Sequence, residues 1–147
     1  MVASGGGGFA YPEAAYQIAM GMYASGIDVI YGTAGGSTFG VLEAAADYSA
    51  MNQKVWMIGV DTDFYEQVDE GLKPLVLTSM IKRVDVAAYE TIKAQATGTF
   101  SGGIELFDLA RDGVDYSTSG GFVDEFVPTL EGLRQDIIHG VITVPAM

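Results

Sequence analysis

Two carboxylates, a lysine and a cluster of glycines are the residues of this chain best suited to chemistry. The run VWMIGVDTDF, Val55 to Phe64, passes from nearly continuous apolar residues straight into Asp61 and Asp63. GTAGGST supplies Gly32, Gly35 and Gly36, and TSMIK supplies Ser79 and Lys82. Each group follows a short apolar stretch, which is where open α/β sheets gather ligands, outside the carboxyl ends of their strands. A carboxylate accepts hydrogen bonds from hydroxyls, a lysine donates to an oxygen, and glycine lets a flat group approach the backbone. Together they suit a neutral polyol such as ribose better than a phosphate, which Asp61 would repel. Phe9, ahead of the first helix, offers either a ring face for a base or a staple over that helix.

Each residue also has a purely architectural reading. The glycines serve a tight strand-to-helix turn, and Asp61 or Asp63 serves as a helix N-cap. Lys82 falls in the first turn of the following helix, where a cation opposes the macrodipole, so a ligand oxygen gives it a better reason to be there. Other chemistries lack their parts. The glycine spacing is neither GxGxxG nor GxxxxGK[ST], and no GxSxG or HExxH occurs. The single histidine, His139, lies at a helix C-terminus where it complements the dipole. A magnesium site on Asp61 and Asp63 would need a phosphate cradle that the sequence does not contain. No catalytic residue, metal or cofactor is expected.

Positioning these groups requires alternating strands and helices. PEAAYQIAMGMYASG reads as a helix with Ala15, Ile18, Ala19 and Met22 on one face, entered through Pro12 and stopped at Gly26. Ile27–Gly32, Lys54–Val60 and Pro74–Ser79 read as buried strands, Thr38–Met51 as a second helix, and Ile81–Gly98 as a third with Ile81, Val84, Ala88 and Ile92 aligned. Beyond these, GGIELFDLARDGVDYSTSGG suggests two short strands about the turn RDG, Val127–Gly140 a helix, and VITVP a last strand. Continuous apolar strands between amphipathic helices predict an α/β fold, a mostly parallel sheet with helices on both faces.

Composition narrows the partners. The chain has 147 residues, about one domain's worth, and 49% are apolar, enough to bury a core. Nineteen acids against seven basic residues give a formal charge of −12, which repels nucleic acid and anionic membranes. The absence of cysteine removes disulfides, thiolate metal sites and sulfur nucleophiles. No run approaches the roughly eighteen apolar residues of a membrane span. Residues 1–8, MVASGGGG, read as a flexible, artificial or truncated start, and residues 9–147 as a single α/β lobe.

GIDVIYGTAGGSTFGV, VWMIGVDTDF, LTSMIKRVDVAAYETI, TGTFSGGIELFDL and GVDY, in this order and spacing, resemble the C-terminal half of the basic-membrane-protein family. These are substrate-binding proteins of ABC importers, similar to purine-nucleoside-binding lipoproteins. The resemblance covers about Phe9 to Pro145. It implies one three-layer, Rossmann-like lobe of a type I periplasmic-binding-protein fold and a non-enzymatic role. It further implies that Asp61 receives ribose hydroxyls, that Lys82 donates to a ribose oxygen, that Gly35 and Gly36 line the pocket, and that Phe9 stacks on the base; Asp63 and Ser79 complete the candidate set. Phe64 stands where the family usually has glutamine, and Tyr11 where an acid precedes the proline. The chain is expected to lack the N-terminal lobe, signal peptide and lipidated cysteine of its extracytoplasmic relatives. It should therefore be soluble, bind a nucleoside weakly and self-associate as a homodimer, the full-length protein partnering an ABC permease. A self-assembling lobe without a ligand and a small Rossmann-like nucleotide enzyme are the alternatives.

Overall fold

The computed structural model describes residues 8–145; apart from Gly8, the glycine-rich start lies outside them. In chain order the regular elements are α1 (Pro12–Ala24), β1 (Val29–Tyr31), α2 (Thr38–Met51), β2 (Trp56–Asp61), α3 (Phe64–Gln67), β3 (Val76–Lys82), α4 (Val84–Thr97), β4 (Val114–Tyr116) and α5 (Val127–Ile138). The four strands form one sheet in sequence order, with β1, β2 and β3 parallel. The Ser117 N–H donates to the Ser79 carbonyl and the Arg83 N–H to the Gly113 carbonyl, so β4 runs antiparallel at the edge. The fold is α/β with a mostly parallel sheet, as the strand and helix patterning implies.

The residues fall into two compact units. The first runs to Ile81 and takes in Tyr116–Val123; the second comprises Lys82–Asp115 and the residues from Asp124 onward. The first holds the core. Val55, just ahead of β2, and Met57 and Val76 from the strands meet Ala19 and Tyr23 of α1 and Leu42, Ala44 and Ala45 of α2, all essentially inaccessible to solvent. The helix pair is drawn together at Gly40, where a Cβ would lie 1.9 Å from the Pro12 carbonyl oxygen, so only glycine permits that approach. Among the described residues Tyr23 is the largest fully buried side chain. Its hydroxyl donates to the Trp56 carbonyl at 2.9 Å, satisfying the polar end of an otherwise apolar ring.

The structure departs from the sequence expectations at several points. Ile18 belongs to the exposed side of α1, and the buried stripe runs through Ala19 and Tyr23 instead. Ile81 and Lys82 are not helical. Ile81 pairs with Asp61, which extends β3 to Lys82 and postpones α4 to Val84. The aligned apolar residues of α4 do not make a buried face: Val84 is 73% and Ile92 69% exposed. Of the two strands expected about RDG only β4 forms, because the stretch before it is interrupted at Gly103 (φ +145°) and its Leu106 carbonyl accepts from the Arg111 guanidinium. VITVP is not a strand. Gly140 turns the end of α5 into the left-handed region, and the amides of Val141 and Ile142 bond back to the Asp136 carbonyl instead of to a sheet. In the second unit Arg134 pairs with Asp115, and Leu109, Val114, Ile137, Ile138 and Val144 line an apolar hollow of about 430 Å³.

Burial pushes the Tyr23 phenol from 10.0 up to about 12. The native state therefore keeps this proton after the unfolded chain has lost it. The stability that the neutral phenol contributes is complete below pH 10.0 and is lost as the pH rises through about 12. Tyr23→Phe should lower stability near neutral pH by about 1 kcal/mol, the net value of one hydrogen bond. It should also flatten the alkaline decline in denaturant-unfolding stability; a decline as steep as that of the parent would assign the alkaline lability elsewhere.

Candidate functional site

The parallel strands β1 and β2 bring their carboxyl ends to one edge of the first unit, and most of the residues singled out by chemistry lie along it. After β1 the Gly32 N–H still donates to the Ile58 carbonyl, and its own carbonyl accepts from the Thr38 hydroxyl at 2.9 Å, which closes the loop onto the start of α2. Within this loop Gly35 has φ +51° and forms, with Gly36 and Ser37, a single 3-10 turn. Phe9 lies directly against it. A Cβ on Gly35 would sit 3.4 Å from the Phe9 Cβ, and one on Gly36 would sit 3.1 Å from the Phe9 carbonyl oxygen. Phe9 is 63% exposed, too open to serve as a staple buried over α1.

Ser37 holds this arrangement together. Its hydroxyl donates to the Gly8 carbonyl at 2.6 Å and accepts from the Tyr11 N–H at 2.8 Å, clamping both ends of the segment that carries Phe9. It is a fully buried hydroxyl. In the sequence it reads only as a helix-start serine after glycines, with nothing to announce a bond to residues nearly thirty positions away. Phe39, one residue into α2, was likewise missed. It is 43% exposed and tilts against the buried Phe64 ring at 5.1 Å between centroids, which ties the glycine loop to the turn after β2.

That turn contains the two acids, and the structure gives them different surroundings. Asp61, the last residue of β2, has φ +73°, a conformation that costs a non-glycine residue about 1–2 kcal/mol and that aspartate tolerates better than most. Asp63 is the N-cap of α3. Its Oδ1 accepts from the Tyr65 N–H at 3.1 Å, and its Oδ2 accepts from the hydroxyls of Ser117 and Ser119 at 2.6 Å each. Ser79 is also engaged within the fold. It is fully buried, its hydroxyl accepts from the Phe64 N–H at 3.1 Å, and it lies where a Cβ on Gly59 would be. Lys82 belongs to the second unit, as the exposed last residue of β3. Among the described residues no group of acids or histidine is arranged to hold a metal ion. The structure thus brings Phe9, Gly35 and Gly36 together and links them, through Phe39 and Phe64, to the turn bearing Asp61.

Comparison with known proteins places these residues in context. Residues 3–147 match the family profile described as Bmp, ABC transporter substrate-binding protein PnrA-like. The chain is 36% identical to the CD4+ T-cell-stimulating antigen of Listeria monocytogenes, over 93% of its own length and 41% of the relative's. It is 37% identical to the ABC transporter nucleoside-binding protein BmpA of Lactococcus lactis, over 95% of its length and 42% of the relative's. A solved ABC transporter solute-binding protein from Aeropyrum pernix superposes with a TM-score of 0.72 at 26% identity, covering 96% of this chain and 46% of that one. The chain thus spans less than half the length of these relatives.

Removing the Ser37 clamp tests whether it sets Phe9. Ser37→Ala takes away two hydrogen bonds at a buried position and should cost about 2 kcal/mol. Amide exchange of Tyr11 should accelerate more than that of the α1 interior. Unchanged Tyr11 protection would show that packing against Gly35 and Gly36 alone is sufficient.

Proposed function

The chain belongs to the Bmp family of PnrA-like ABC-transporter substrate-binding proteins, and from that premise we propose that the carboxyl edge of its first unit forms part of a nucleoside-binding surface, with purine nucleosides as the preferred class. The single observation that carries this reading is the strained Asp61. A carboxylate held at φ +73° at the end of a central strand is the kind of backbone outlier found where a side chain must be aimed at a ligand. In this role Asp61 receives the ribose hydroxyls through charge-assisted hydrogen bonds, and Phe9 presents an exposed ring to the base. Gly35 and Gly36 keep the backbone open beside that ring. The part of Lys82, as a donor to a ribose oxygen, rests on the family resemblance alone. The nucleoside-binding name of the Lactococcus relative favours the same ligand class.

The module captures its ligand and does not transform it, and in a full-length setting it would hand the ligand to an ABC permease outside the cytoplasm. None of the described helices is long and apolar enough to cross a membrane. The relatives are more than twice as long, and the cost of losing translational and rotational freedom, about 4 kcal/mol or more, falls on a partial site as fully as on a complete one. If a full-length cleft binds near micromolar, about −8 kcal/mol, this chain alone should bind at roughly millimolar or weaker. Titrating guanosine, inosine or adenosine should shift amide resonances around Phe9, Gly35, Gly36 and Asp61 in fast exchange. Asp61→Ala should weaken the response about tenfold, whereas Asp47→Ala on α2 should not. Equal effects at Asp61 and Asp47, or shifts confined to other regions, would sink the assignment.

A second reading, self-association as a twofold dimer, is favoured by the apolar side chains that the second unit leaves open. Val84, Tyr89 and Ile92 on α4, with Ile104 and Leu106, are largely exposed. Light scattering from micromolar to near-millimolar protein should then show a mass rising towards twice that of the 147-residue chain. A constant monomer mass would remove this reading.

A further inference from the structure

We propose that Asp63 is a positioning residue: anchored by Ser117 and Ser119, it holds the turn that aims Asp61, and it does not itself contact the ligand. This rests on the reading of Asp61 as the ligand-facing carboxylate. Three donors converge on Asp63, the Tyr65 amide and two serine hydroxyls from a segment 54 and 56 residues further along the chain. An ionised carboxylate has only acceptor sites, and hydroxyl donors at 2.6 Å are short, strong charge-assisted bonds. The cluster is ordered beyond the carboxylate as well, because the Ser117 oxygen also accepts from the Ser119 N–H at 3.1 Å.

The serines lie on a strap, residues 117–122, that is fastened at both ends. At its start the Ser117 N–H donates to the Ser79 carbonyl, and the Ser117 carbonyl accepts from the Thr78 hydroxyl at 2.6 Å. Next comes Gly120, with φ +86° and the Tyr65 ring where a Cβ would be. At its end Phe122 meets Trp56 edge to face at 4.9 Å, with the Lys54 ammonium 3.6 Å from the centre of the Trp56 ring. A left-handed aspartate persists only where its surroundings over-determine the turn. Two attachments do so within two and three residues of Asp61: the Phe64 amide on Ser79, and the Asp63 carboxylate on the strap. Trp56 is the only tryptophan of the chain, so its emission reports whether the strap is seated.

The decisive comparison is between Asp63→Ala and the double variant Ser117→Ala with Ser119→Ala, which leaves the Asp63 carboxylate in place but removes its hydroxyl partners. Inosine is the probe, followed by amide shifts, with Trp56 emission and the backbone carbon shifts of Asp61 measured on the same samples. If Asp63 positions, both variants reduce the response to inosine about tenfold, move the Trp56 emission and lose the left-handed signature of Asp61, and Ser119→Thr, which keeps a hydroxyl, matches the parent. An undiminished inosine response in the double variant overturns the proposal, since Asp63→Ala would then act through direct ligand contact or not at all. Should either variant fail to fold, Ser119→Ala alone, which removes one donor of three, carries the comparison. If neither the parent nor Asp61→Ala responds to any nucleoside, the site reading has failed on its own. The positioning role is then judged by the Asp61 carbon shifts, whose change in the double variant supports it and whose constancy overturns it.

Discussion

The joint between the sheet and its working edge rests on one buried hydroxyl. Ser79 lies in the middle of β3, fully enclosed, and accepts the Phe64 amide just where β2 has ended and the chain must turn. Its side chain fits there because Gly59, its register partner, contributes no Cβ; a methyl group would lie 2.6 Å from the Ser79 oxygen and 2.7 Å from the Phe64 ring. The absence of one side chain therefore admits two others. Phe64 then folds over the strand end and supports Phe39, while the Ser79 carbonyl receives the strap. A buried polar group is tolerated only when its bonds are made, and here the bonds that satisfy Ser79 are also those that shape the turn.

A largely buried strand thus runs into two acids, one closing it and one capping the short helix that follows. The acids are not equivalent. Asp63 has its oxygens occupied by hydrogen-bond donors from the fold, whereas Asp61 stands in a left-handed conformation just ahead of the turn that Asp63 and Phe64 fasten.

Much of the sheet was legible from sequence because its strands are continuous apolar runs separated by helices of ordinary length, a pattern with few alternatives. Asp61 could be singled out for the same reason, as the residue where such a run stops. What could not be read were bonds between residues far apart in the chain: Ser37 to Gly8 and Tyr11, and Asp63 to Ser117 and Ser119. Serines carry no periodic signal, and STSGG looks like any turn. The apolar alignment along α4 misled in the opposite direction. Val84 and Ile92 have the spacing of a buried face, but periodicity records which residues would be buried if something covered them, not whether it does. VITVP failed for a local reason, because the hydrogen bonds closing α5 took its first amides.

The contact between Gly40 and Pro12 also fixes the register of two helices. With the Pro12 carbonyl occupying the place of a side chain, a slip of one residue in either direction would bring Phe39 or Val41 to the spot, and neither fits. The contact thus fixes which residues of the two helices meet, while the exposed loop between them remains free to change in length. Relatives whose loops differ should still keep a glycine opposite this carbonyl, because any side chain there would force the two helices apart.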